Sequence, residues 1–107
     1  MALTVGNAVS FHGAPGIGRV GALDGSHVRV DFFESAAEPV VGSVWKRLEE
    51  VRRVQLEEET RAFFQDSQGF WRVGRVIGGR DGYYFIKLPN ARRGIDIDED
   101  QLRVRWE

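Results

Sequence analysis

Short stretches in which apolar and polar residues alternate dominate the chain, and they predict β-strands. In the first half, the pattern predicts strands over Ala8–Phe11, Ile17–Leu23 and His27–Phe33. In the third of these, every second residue is a valine or phenylalanine, as expected for a strand with one buried face. The dipeptide Asp24-Gly25 between the second and third strands is a hairpin signal.

The second half repeats this pattern. It predicts, in order, a strand over Arg61–Gln65, a turn over Asp66–Gly69, a long bent strand over Phe70–Ile77, a turn over Gly78–Gly82, a strand over Gly82–Leu88, and a last strand over Leu102–Trp106. Pro89 ends the fifth of these segments because proline cannot donate a hydrogen bond to a neighbouring strand.

One segment fits two patterns. Trp45, Leu48 and Val51 have helical spacing, whereas Val54 and Leu56 continue an alternation that is typical of a strand. We predict a short helical turn over Trp45–Glu49 and a strand over Val51–Leu56. A continuous, salt-bridged helix is the alternative.

The two halves form an internal repeat. Residues 16–20 (Gly-Ile-Gly-Arg-Val) correspond to residues 72–76 (Arg-Val-Gly-Arg-Val), and residues 28–32 correspond to residues 84–88 at the same offset of 56. Two copies are too few for a solenoid. The repeat therefore predicts two small closed domains of about 50 residues each, over residues 1–57 and 58–107, with Glu57–Glu59 at the junction.

The segment Gly69–Val76 resembles the second strand of a Tudor domain, in which a turn leads into an aromatic residue and then a small residue and a valine. Tyr83–Asn90 and Ile95–Leu102 fit the rest of such a barrel. The doubled unit is similar to the N-terminal tandem Tudor-like region of bacterial Swi/Snf-type helicases, both the RapA (HepA) kind and the DpdE kind. The resemblance covers Val5 to Trp106 and implies an all-β fold of two tandem Tudor/SH3-like five-stranded barrels.

The resemblance also implies a function. In that family the region precedes an ATPase motor, restrains it, and contacts RNA polymerase or nucleic acid. This chain contains no G-x-x-x-x-G-K-[ST] phosphate loop, so it would supply only the regulatory region of such a helicase. We expect a non-catalytic, monomeric interaction module whose partner is RNA polymerase, nucleic acid or the parent ATPase motor. A stand-alone nucleic-acid-binding domain is the alternative.

Composition narrows the classes of function. The 107 residues carry a net charge of −1 and no cysteine, which excludes disulfides, thiol nucleophiles and cysteine-based zinc sites. The first residues lack the basic stretch and apolar core of a secretory signal, and no apolar run approaches the roughly 20 residues needed to span a bilayer. We expect a cytoplasmic protein without a membrane partner.

The sequence provides little for catalysis. Its two histidines, His12 and His27, lie in or beside turns and are better explained as surface residues. The acids of residues 96–100 lack the turn glycine and the bidentate glutamate of a calcium-binding loop, so solvated loop charges are the better explanation. We expect no catalytic residue, no metal site and no cofactor.

A methyl-lysine site would need several aromatic rings around the cation. By the resemblance, its aromatics would fall at residues 72 and 88 of the second unit, which are Arg72 and Leu88, and at residues 16 and 32 of the first, which are Gly16 and Phe32. Only one of these four residues is aromatic. The Tudor resemblance therefore describes a scaffold and does not imply a reader of methyl marks.

A local excess of positive charge is the best candidate for a binding site. Residues 67–94 hold six basic residues and a single acid, Asp81. We predict a nucleic-acid or partner-binding face formed by these six and by Tyr83 as a stacking ring: Arg72, Arg75, Arg80, Tyr83, Lys87, Arg92 and Arg93. The alternative is a solvated arginine-rich face, and the overall pI near 6.1 counts against strong, sequence-independent DNA binding.

Overall fold

The computed structural model describes residues 2–33, 40–80 and 82–104. These residues form two five-stranded antiparallel sheets. The first sheet contains β1 (Ala8–Phe11), β2 (Gly18–Asp24), β3 (His27–Phe33), β4 (Val40–Arg47) and β5 (Val51–Arg53). The second contains β6 (Arg61–Gln65), β7 (Trp71–Arg80), β8 (Tyr83–Lys87), β9 (Ile95–Asp98) and β10 (Arg103–Val104).

The two sheets share one topology. Their strand orders are β4-β3-β2-β1-β5 and β10-β6-β7-β8-β9, which become identical when the strands are numbered within each sheet. Both sheets have a register shift in their second strand, between Val20 and Ala22 in β2 and between Val76 and Gly78 in β7. A 3₁₀ turn precedes the last strand of each, over Leu48–Glu50 and Glu99–Gln101. The internal repeat is therefore a repeat of structure.

Alternation in the sequence predicts the bounds of three strands correctly. The strands over Ala8–Phe11, His27–Phe33 and Arg61–Gln65 are confirmed with the predicted bounds. The hairpin between β2 and β3 is also confirmed, but Asp24 pairs with His27 and so lies in β2 and not in the loop. Its loop is Gly25-Ser26, and Gly25 has the positive φ (59°) that the first position of such a two-residue turn requires.

The prediction for residues 45–56 is wrong in part. Trp45 lies within β4, opposite Arg29 of β3, and not in a helical turn. The turn comes three residues later as the 3₁₀ turn, and the strand after it ends at Arg53. Pairing with β3 along most of its length explains why β4 prevails over the helical spacing of Trp45 and Leu48.

The predicted turn over Gly78–Gly82 is also too long. Gly78 and Gly79 lie within β7 and pair with Phe85 and Tyr84 of β8. A Cβ atom at residue 79 would lie 2.7 Å from Cδ1 of Tyr84. Gly79 is thus required by the close approach of an aromatic ring and does not mark the turn. The last predicted strand is seen only as β10, because residues 105–107, including Trp106, lie outside the described residues.

Each sheet has its own buried cluster, and the second draws residues from outside its sheet. The first cluster comprises Val9, Val20, Val28, Val30 and Phe32. The second comprises Ala62, Phe64, Val76, Tyr84, Ile86 and Leu102, together with Ala8 of β1 and Leu56 from the segment that connects the two sheets. The backbone N–H of Leu56 donates to the Tyr84 hydroxyl over 3.0 Å. The connecting segment is therefore part of the second core.

Polar contacts also join the two sheets. The buried Glu99 carboxylate accepts hydrogen bonds from Nδ2 of Asn7 (2.8 Å) and from the guanidinium of Arg53 (2.7 Å). The Arg19 guanidinium donates to the backbone carbonyl of Asp100, and its burial lowers the pKa of Arg19. Together with Ala8 and Leu56, these bonds fix the second sheet against the first.

Candidate nucleic-acid interface

The outer face of the second sheet carries a row of three cations. The buried residues of β7 and β8 (Gly74, Val76, Tyr84 and Ile86) define the core side of the sheet, and the residues between them point away from the core. Strand register places Arg61 of β6 opposite Arg75 of β7, and Arg75 opposite Lys87 of β8. We call Arg61, Arg75 and Lys87 the basic row. At a strand spacing of about 4.8 Å, it is about 10 Å long.

Like charges face each other in this row, and few carboxylates among the described residues neutralise them. Arg75 forms an ion pair with Glu59 over 3.1 Å, but both side chains are about half exposed or more (49% and 68%), so solvent weakens the pair. Within the parts of the chain that the structure describes, Arg61 and Lys87 form no ion pair. Because like charges directly opposite each other destabilise a sheet, a bound anion would relieve an existing repulsion.

The basic row borders an open groove of about 530 Å³. Val73, Gly74 and the segment that follows β8 complete its lining; in that segment the lining residues are Leu88, Pro89, Asn90 and Ala91. The N–H of Ala91 donates to the carbonyl of Leu88 over 3.2 Å, and Asn90 adopts a positive φ of 64°, so the segment is a tight turn. The groove thus combines three cations with an apolar wall and an amide.

Two aromatic rings continue the same face along β8. Tyr83 and Phe85 alternate with the buried Tyr84 and Ile86, and their rings meet edge to face with centroids 5.6 Å apart. Opposite Phe85, β7 contributes Gly78, which has no side chain to cover the ring. On the edge of β8 away from β7, Asp96 of β9 lies opposite Phe85 and Asp98 lies opposite Tyr83, and both carboxylates are exposed.

The structure brings together only some of the residues predicted for the site. Arg75, Lys87 and Tyr83 lie on the outer face, with Arg80 opposite Tyr83 at the end of β7. Arg92 and Arg93 are exposed in the segment between β8 and β9, beyond the groove. Arg61, which lies outside the basic stretch of residues 67–94, completes the basic row.

Arg72 does not share the outer face. It has the same parity along β7 as the buried Gly74 and Val76, lies opposite the buried Phe64 of β6, and forms an ion pair with Asp66 over 2.9 Å. The hydrogen bond from Arg72, together with backbone N–H groups of Phe70 and Gln68, lowers the pKa of the Asp66 carboxyl below its ordinary value. Arg72 thus has a local structural role in the β6–β7 turn.

Other kinds of site find no support in the described residues. No group of three or more histidine and acidic side chains there is arranged to hold a metal ion. Phe32, the one aromatic at an expected cage position, is buried in the first core against Phe11. No helix within the described ranges has the length and apolar character that crossing a membrane requires.

Comparison with known proteins adds no assignment: neither the protein-family models nor the curated proteins contain a match to this chain.

Proposed function

We propose that this chain is a non-catalytic interaction module of two tandem Tudor/SH3-like barrels, and that it binds nucleic acid through the basic row. Support for the barrels comes from the shared strand order, in which the last strand of each unit pairs with the first, and from the 3₁₀ turn before that last strand. In this proposal the module is the regulatory N-terminal region of a bacterial helicase-like ATPase.

The observation that carries the binding proposal is the cross-strand register of Arg61, Arg75 and Lys87. Three cations side by side, two of them without an ion pair among the described residues, match the repeated charge of a phosphodiester backbone. The net charge of −1 restricts the attraction to this face, since the protein as a whole has no positive field. We therefore expect moderate, strongly salt-dependent affinity.

Binding of labelled DNA, followed by fluorescence anisotropy between about 50 and 200 mM salt, tests this proposal. Replacing Arg61, Arg75 and Lys87 together with alanine should weaken binding and reduce the slope of log K against log salt by about 2–3, at roughly 0.7–0.9 per phosphate contact. Backbone NMR spectra of the variant establish that the fold is retained.

Arg72→Ala is the matched control for Arg75→Ala. The two arginines lie on the same strand, have side-chain exposures of 52% and 49%, and each pairs with one carboxylate, but they occupy opposite faces. Only Arg75→Ala should weaken binding. If the native protein does not bind DNA or RNA at low salt, or if both substitutions weaken binding equally, the proposal is wrong. Absence of any binding would favour docking on RNA polymerase or on the ATPase motor.

A further inference from the structure

The basic row is wide enough for only one phosphodiester backbone because carboxylates border it on two sides. Glu57, Glu58 and Glu59 are exposed just before Thr60 and Arg61. Asp96 and Asp98 are exposed on β9 opposite Phe85 and Tyr83, so that Asp96 lies diagonal to Lys87. Adjacent strands are about 4.8 Å apart, whereas the two backbones of a duplex face each other across grooves about 6 and 12 Å wide. A second backbone would therefore lie near these carboxylates.

Next to the basic row lies a ring with one uncovered face. Phe85 is two residues from Lys87 on the same face of β8, a separation of about 7 Å. Across from it, the nearest non-neighbouring atom to a Cβ built on Gly78 is Cδ2 of Phe85, at 3.5 Å. The space that a side chain at residue 78 would fill therefore lies directly against the Phe85 ring and is open in the native protein.

From these two features we infer that the nucleic acid bound here is single-stranded, with its phosphates along the basic row and one base stacked on Phe85 over Gly78. The inference rests on the proposed function and makes it more specific. Tyr83 meets Phe85 edge to face and holds the ring in place. Stacking tolerates every base because each has a flat π-face, so we expect a preference for single strands without a strong preference for sequence.

The substitution Gly78→Val tests this directly, because it covers the ring without removing any charge or aromatic group. Gly78 does not have a positive φ, and a Cβ atom there would make an ordinary contact at 3.5 Å, so the fold should accept valine. The assay measures anisotropy of a labelled DNA strand of about 12 nucleotides, within the usual site size of 4–16, and of the duplex of the same sequence.

The native protein should bind the strand more tightly than the duplex. Gly78→Val should weaken strand binding roughly 5- to 150-fold, the range expected for loss of one base–aromatic stack, and leave duplex binding unchanged. Phe85→Leu, which keeps an apolar side chain but removes the ring, should have the same effect. Phe70→Leu is the control, since Phe70 is an exposed phenylalanine (61%) just before β7 begins, away from the basic row.

The two carboxylates of β9 provide an independent test of the inference. Asp96→Asn with Asp98→Asn should raise duplex affinity more than strand affinity, and an equal rise for both would contradict the inference. Equal native affinity for strand and duplex, or equal loss of both in Gly78→Val, would also overturn it while leaving the proposed function intact. A different result would contradict the proposed function itself: unchanged binding when all three residues of the basic row are replaced with alanine.

Discussion

Glu99 offers a quantitative test of how the two sheets are held together. Its carboxylate is 6% exposed and accepts hydrogen bonds from Asn7 and Arg53, both of which belong to the first sheet or the residues leading into it. Glu99→Ala removes both bonds at once. It leaves the Asn7 amide, in a residue that is only 7% exposed, without its acceptor, and Arg53 without its counter-ion.

The expected cost follows from the burial of each partner. A buried donor left without an acceptor costs about 1–3 kcal/mol. Breaking a fully buried ion pair costs about 3–5 kcal/mol, but Arg53 is 31% exposed and solvates readily, so its share is closer to the 0–1 kcal/mol of a surface pair. The sum is about 1–4 kcal/mol, a substantial part of the roughly 5–15 kcal/mol that stabilises a domain.

Urea unfolding monitored by tryptophan fluorescence measures this cost. With an m-value of about 2 kcal/mol/M, the midpoint should fall by about 0.5–2 M. Glu58→Ala is the control, because Glu58 is exposed and should change stability by less than about 0.5 kcal/mol. A further substitution, Asn7→Ala, should cost less in the Glu99→Ala background than in the native one. If Glu99→Ala resembles the control, the buried network does not stabilise the protein.

Two further substitutions test local interactions. Tyr84→Phe removes the hydroxyl that accepts the N–H of the buried Leu56, and we expect a loss of about 1–3 kcal/mol in the same unfolding assay; a loss below that range would show that water replaces the hydroxyl. Arg72→Ala should raise the pKa of Asp66 towards its ordinary value of 3.8, as measured by NMR titration of its carboxyl carbon. Since the folded pKa is depressed, this carboxylate contributes stability above its unfolded pKa and loses it as the pH falls through the folded pKa. An unchanged Asp66 pKa in the variant would contradict this account.

Alternation in the sequence predicts a strand well where the strand's own side chains determine its position. It predicts poorly where pairing with a neighbouring strand determines that position. The bounds of β6 follow from its one buried face, and those of β3 follow from the alternation of Val28, Val30 and Phe32, although Asp31 and Phe33 are buried as well. Gly79 could not be interpreted in this way, because glycine serves equally in a turn and beneath a ring, and only the register with Tyr84 distinguishes the two. The helical spacing of Trp45 and Leu48 gave a wrong prediction for the same reason, because pairing with β3 stabilises β4 as a strand.

The residues of the candidate site were likewise predicted only in part. Arg75 and Lys87 were predicted from a local count of charges, but Arg61 lies outside the stretch that was counted. A signal for it was present nevertheless. Once β6 and β7 are taken as a hairpin closed by Gln65 and Trp71, counting four residues outward on each strand places Arg61 opposite Arg75. Arg72 was misplaced because the apolar residues Trp71 and Val73 indicate the opposite parity, whereas the buried residues of β7 are Gly74 and Val76.

Leu56 has a consequence for how this protein could have evolved. It precedes the predicted boundary after residue 57, yet its side chain completes the core of the second unit, which also includes Ala8 of the first. A gene duplication that began with two self-sufficient copies has, in this arrangement, left the second half without a complete core of its own. Recombination that transfers one unit without the other would separate a core from two of its own residues. The pair is therefore expected to be inherited and lost together.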